Sequence, residues 1–182
     1  MQIYNASNLR IRLIGPDLQR TITALACKRD LTFAAVGRTI VETQRVHKTG
    51  IYRGHVGRIF QLMVLGDYLL SLSEDRTVRV WEIGSYDDPL SIIQLEDDFV
   101  PTCMAHPDTY LNKIVVGARD GRIHLWNFNS NSKVYEFASF GSSICCIVPS
   151  PALDIVGIGL SDGYVMFIAF LFILQCASIE EM

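Results

Sequence analysis

The chain has 182 residues, 49% of them hydrophobic and 10% aromatic, with a charged fraction of 19%. That is enough apolar material for a packed domain core, and it excludes an intrinsically disordered polymer. The net charge of −3 hides an asymmetry: residues 1–60 carry 10 Lys and Arg against 3 Asp and Glu, and residues 61–182 carry 6 against 16.

No basic-then-apolar leader opens the chain. Its strongest apolar run, Val165–Leu174, is shorter than the roughly 20 residues a membrane helix needs, so no membrane role is expected. The five cysteines, Cys27, Cys103, Cys145, Cys146 and Cys176, form no CxxC pair. They read as reduced, mostly buried thiols of an intracellular protein.

In chain order, the first readable element is "FAAVGRTIVETQR", Phe33 to Arg45, two β-like runs around a turn at Gly37. It belongs to a partial unit spanning residues 1–50. The next unit, 51–96, is the most complete. Arg58–Val64, Tyr68–Ser73, Thr77–Ile83 and Leu90–Leu95 read as strands, separated by Gly66-Asp67, an acidic turn at Glu74–Arg76, and the loop Ser85–Pro89. The unit 97–139 repeats this with Pro101–Ala105, Lys113–Gly117, Arg122–Phe128 and Lys133–Phe137. The last, 140–182, has Ser143–Val148, Asp154–Leu160 and Tyr164–Phe170, followed by a divergent apolar tail.

A phrase recurs across these units. Asp75, Asp120 and Asp162 are spaced by 45 and 42 residues, and six residues after each stand Trp81, Trp126 and Ile168. Four short strands in about 42 residues is the size of one propeller blade. The expected fold is therefore all-β, an open partial propeller of about four blade-like units. The Asp is expected to close a hairpin turn, and the large side chain to fill the space between neighbouring blades.

Four residues of the second unit, His55, Ser71, Asp75 and Trp81, include a hydrolase-like Ser, His and Asp. The alternative is a buried hydrogen-bond chain that satisfies every member and locks the blade. Gly159–Gly163 is a literal G-x-S-x-G, but β-like sequence follows where a nucleophile elbow needs a helix, so Ser161 is expected in an ordinary hairpin turn. His47, His106 and His124 share no metal-ligand spacing, and His124 alternates as a polar-face strand residue. No phosphate-binding loop appears. Catalytic residues, cofactor, metal and small-molecule substrate are thus all absent from the expectation. Arg38, Arg45, Lys48, Arg53 and Arg58 lie close in sequence and form a candidate basic rim for a phosphate backbone.

"GHVGRIF" with "SEDRTVRVWEI" resembles the WD-repeat superfamily, whose buried tetrad falls on His55, Ser71, Asp75 and Trp81. The third and fourth units depart from it: the position of Ser71 is taken by Val116 and Ile158, and neither unit has the preceding Gly-His. Three longer phrases, Thr21–Gly37, His106–Phe137 and Ser142–Gly163, resemble the WD-repeat, small-nucleolar-RNA-associated subunit of the small-subunit processome.

That resemblance covers residues 1 to about 166 and implies a non-enzymatic nucleolar scaffold. Its implied partners are other WD-repeat processome subunits and the assembly of precursor ribosomal RNA with small nucleolar RNA. The alternatives are a WD-repeat adaptor for another protein complex and a serine hydrolase. The family implies tandem propellers, so this chain is expected to be a piece of a longer scaffold, marginally soluble alone, with its apolar run Met166–Leu174 uncovered.

Overall fold

The computed structural model describes residues 16, 18–108, 110–151 and 155–170. Cys176 and the end of the apolar run, Leu171–Leu174, lie outside the described residues. Among those described, fifteen strands form four antiparallel sheets, and no helix is present.

Each sheet is a meander of sequential strands. The first holds β1 (Ala24–Lys28), β2 (Leu31–Val36), β3 (Thr39–Gln44) and β4 (His47–Arg53). Sequence alone delimited only its central hairpin, because β1 and β4 carry no copy of the repeated phrase. The second holds β5 (Ile59–Leu65), β6 (Tyr68–Ser73), β7 (Thr77–Glu82) and β8 (Ser91–Gln94). The third holds β9 (Pro101–Ala105), β10 (Lys113–Ala118), β11 (Ile123–Asn127) and β12 (Ser132–Phe137). The fourth holds β13 (Ile144–Pro149), β14 (Ile155–Leu160) and β15 (Val165–Ala169).

Successive side chains of a strand point to opposite faces, and here both faces are used. In the second sheet, Leu69 and Trp81 join Phe33, Ile40 and Tyr52 of the first. Their neighbours Leu70 and Val80 join Ile114, Val116 and Trp126 of the third. On the third sheet's far side, Val115, Ile123 and Leu125 meet Val156, Ile158 and Ile168 of the fourth. This two-sided burial explains why Leu69–Ser73 is buried at every position. The sheets stack as an arc with β1, β5, β9 and β13 along its inner side, an open, propeller-like arrangement. No buried apolar cluster among the described residues joins the fourth sheet to the first.

Two readings are corrected by this geometry. The cysteines are not mostly buried: of the four described, only Cys103 is, and Cys27, Cys145 and Cys146 are exposed. A β-bulge between Ile144 and Cys146 takes Cys145 out of register, and Cys27 lies on the edge strand β1. His124 is not a polar-face residue, since it is fully buried where the second sheet covers the third.

Gly117 marks how closely the third and fourth sheets approach. A Cβ there would stand 2.7 Å from Ile144 Cγ2. Gly117→Val is expected to destabilise the fold by about 1–3 kcal/mol through overpacking. Urea unfolding of the variant, read by Trp fluorescence, checks this.

Candidate functional site

The three aspartates of the repeat do the same local work. Asp75 Oδ1 accepts from Thr77 N at 3.0 Å, Asp120 Oδ1 from Arg122 N at 3.0 Å, and Asp162 Oδ1 from Tyr164 N at 3.2 Å. The residue after each Asp is left-handed: Arg76 at φ 61°, Gly121 at 87° and Gly163 at 93°. A short carboxylate that bonds the backbone two residues on stabilises such a turn. The side chain six residues further along, Trp81, Trp126 or Ile168, is then buried against the preceding sheet.

Only the second sheet extends this turn into a chain. Trp81 Nε1 donates to Ser71 Oγ at 2.9 Å. Ser71 Oγ lies 2.7 Å from His55 Nε2, and His55 Nδ1 lies 2.8 Å from Asp75 Oδ2. Asp75 Oδ2 also accepts from Val56 N, and its Oδ1 accepts from the Thr77 hydroxyl. One proton arrangement satisfies every member: Trp N–H to Ser, Ser O–H to Nε2, and Nδ1–H to an ionised Asp.

Electrostatics favour that arrangement. Burial pushes the His55 ring below its ordinary value, outweighing the pull of Asp75, so the ring is neutral. The His55–Asp75 contact is therefore a hydrogen bond and not an ion pair. Burial alone would raise Asp75, but the bonds from Thr77 and His55 dominate and hold it well below the usual carboxylate range.

These distances are also those of a hydrolytic triad, and access is what differs. Ser71 is fully buried, and its oxygen already accepts from Trp81. Ser161, the other hydrolase-like serine, sits in the β14–β15 turn with its hydroxyl 2.8 Å from Ser142 Oγ, and a strand follows it, not a helix.

The third sheet lacks the chain. Val116 occupies the position of Ser71, opposite His124 as Ser71 is opposite Arg79, and Trp126 Nε1 is buried without a partner among the described residues. In the fourth sheet Ile158 stands opposite Met166 in the same way.

The five candidate basic residues are all exposed, but the register divides them. Arg38 follows the Gly37 turn, Arg53 pairs with Thr39, and Ile59 N bonds Gly37 O, which brings Arg58 to the same end of the first sheet. Arg45 and Lys48 lie at the opposite end, near Thr43. A six-residue strand separates the ends by about 20 Å. Arg58 is also ion-paired to Glu74 at 2.9 Å. Lys48 and Arg53 line a groove on the outer face of the first sheet together with Arg20.

Sequence reasoning missed Glu42, which is 3% exposed. Its carboxylate accepts from the hydroxyls of Thr49 (2.7 Å), Tyr52 (2.6 Å) and Tyr86 (2.9 Å), tying the first sheet to the loop after β7. Burial and then the bond to Glu42 push the Tyr52 phenol up. The available signal was period two: Glu42 shares a face with the buried Ile40.

Residues 1–171 match the family model described as the WDR36/Utp21 first β-propeller. The chain belongs to this family. It is similar to human "WD repeat-containing protein 36", 30% identical over 167 residues, and to the Schizosaccharomyces pombe "U3 small nucleolar RNA-associated protein 21 homolog", 29% identical over 175. These alignments cover 90% and 91% of this chain but 18% and 19% of the relatives, so the chain spans about a fifth of their length. Among solved structures, the computationally designed Ika4 protein superposes with a TM-score of 0.73 at 24% identity, covering 84% of this chain and 93% of that one. The WD40 domain of Toxoplasma gondii coronin gives 0.70 at 16% identity, covering 81% and 42%. These two likenesses speak to the fold, and they agree with the WD-repeat propeller read from the repeated phrase.

Ser71→Ala orphans both Trp81 N–H and His55, and is expected to cost about 1–3 kcal/mol. Ser161→Ala is expected to stay within about 0.5 kcal/mol. Paired urea titrations decide, and the reverse ranking would make Ser161 the important serine.

A pH dependence follows from the buried rings. His55 and His124 are both held below the ordinary 6.5 by burial, so as pH falls below 6.5 the unfolded chain takes up protons first and stability drops. The contribution of Asp75 is present above its ordinary 3.8 and is lost as pH falls further, toward its folded value. The urea midpoint is expected to be lower at pH 5 than at pH 7; equal midpoints would mean that the rings are not held neutral.

Proposed function

We propose that this chain supplies a rigid, non-enzymatic scaffold segment to a U3 small nucleolar RNA-associated assembly, in the nucleolus, where precursor ribosomal RNA is processed and the small ribosomal subunit is built. One observation carries this reading: the family match over residues 1–171, with curated relatives named for association with U3 small nucleolar RNA.

The physical chemistry supports it. The polar groups that resemble catalytic machinery are consumed inside the second sheet, which leaves function to the edges and ends of the sheets. Other WD-repeat subunits of the processome are the proposed protein partners. RNA contact falls to the two basic ends of the first sheet, Arg38 with Arg53 and Arg45 with Lys48, through phosphates and not base edges.

The test is gradient sedimentation of the tagged chain from cells, with each fraction probed for precursor ribosomal RNA and U3 RNA. Migration in large particles with both RNAs is expected. Charge reversal at Arg38 and Arg53, or at Arg45 and Lys48, should weaken that association and its salt dependence. Co-migration with proteins but without RNA would replace this reading with an adaptor for another complex.

A further inference from the structure

Between the second and third sheets, Glu96, His124 and Glu136 each bring one ligand atom to within 4.8 Å of the others. Glu96 follows β8 of the second sheet. His124 lies on β11, and Glu136 faces it across the β11–β12 pairing. His124 is fully buried, with the Phe99 ring stacked on it at 3.9 Å, and neither ring nitrogen has a hydrogen-bond partner among the described residues. A buried imidazole with both nitrogens unsatisfied requires an explanation.

Geometry supplies one for Nε2. His124 Nε2 stands 3.2 Å from Glu136 Oε2 without hydrogen-bond alignment. In the tautomer that keeps the lone pair on Nε2, this nitrogen and the carboxylate oxygen are both donors to a metal ion, and a cation between them turns a repulsive contact into two ligand bonds. Two ligands of a tetrahedral zinc ion, each about 2.0–2.1 Å from the metal, are about 3.3 Å apart. The charge balance points the same way. Glu96, Asp98, Asp120 and Glu136 surround only Arg122 and Lys133, an excess of two negative charges.

We propose that Glu96, His124 and Glu136 form a site for a divalent cation of the zinc type, which bridges the second sheet to the third. The imidazole selects a borderline metal over magnesium or calcium, which take oxygen ligands. Arg122 Nη1 lies 3.6 Å from the other oxygen of each carboxylate, and Lys133 is the closer resident competitor. Its ammonium contacts both Glu96 Oε1 and Glu136 Oε2, and its side chain is 30% exposed, free to swing into solvent when the metal enters. No ligand spacing in the sequence announces this site, because its ligands come from two sheets.

The test is calorimetric titration of the 182-residue chain with zinc chloride, with Cys27, Cys145, Cys146 and Cys176 replaced by Ser to remove competing thiols. One equivalent is expected to bind. Lys133→Met removes a like charge and should tighten binding by about tenfold. Glu96→Gln with Glu136→Gln changes two exposed side chains, leaves the core intact, and should weaken binding by more than about tenfold, since even outer-sphere partners of a metal are worth that much. Zinc bound equally well by the double Gln variant would be an adventitious ion only, and the proposal would fall. It would fall also if neither the parent chain nor Lys133→Met bound a stoichiometric ion.

Discussion

A β-sheet with two apolar faces is stable only between two neighbours, and the rest of this structure follows from that constraint. Leu69 and Trp81 face backward while Leu70 and Val80 face forward, so the second sheet contributes to two cores at once. Burying both faces leaves no room for unpaired polar groups. Each polar side chain inside the arc is therefore either in a network or conspicuous for lacking one.

The three inter-sheet layers solve this differently. Between the first and second sheets, the chain from Trp81 to Asp75 and the hydroxyl cage around Glu42 satisfy most of the buried polar groups, and Arg79 Nε is left without a partner among the described residues. Between the second and third, Trp126 Nε1 and both His124 nitrogens are left over, beside a crowded set of carboxylates. Between the third and fourth, the buried side chains among the described residues are apolar. The same backbone turn, Asp followed by a left-handed residue, serves all three units, so the backbone repeat is stricter than the side-chain repeat.

This division shapes the functional reading. A hydrogen-bonded Ser, His and Asp is a catalytic device when the serine is open to substrate, and an internal lock when it is not. Ser71 is closed on every side, so the surfaces left for partners are strand ends and loops. There the first sheet carries Arg38 with Arg53 and Arg45 with Lys48, separated into two ends by the length of β3. Separated surfaces of this kind suit the proposed scaffold role better than a pocket would.

The sequence by itself determined the strands and the repeat. Alternation, Gly and Asp turns and the 45- and 42-residue spacing are local properties, and they located the strands of the second, third and fourth sheets. They also picked out His55, Ser71, Asp75 and Trp81 as a set. Only the tertiary structure decided which charges meet. Arg38 and Arg45 are seven residues apart yet lie at opposite ends of a strand, while Glu96 and Glu136 are forty apart and converge on one histidine. The burial of His124 and Glu42 likewise depends on which sheet lies across from them, and that is a property of the stacked arc, absent from any single strand.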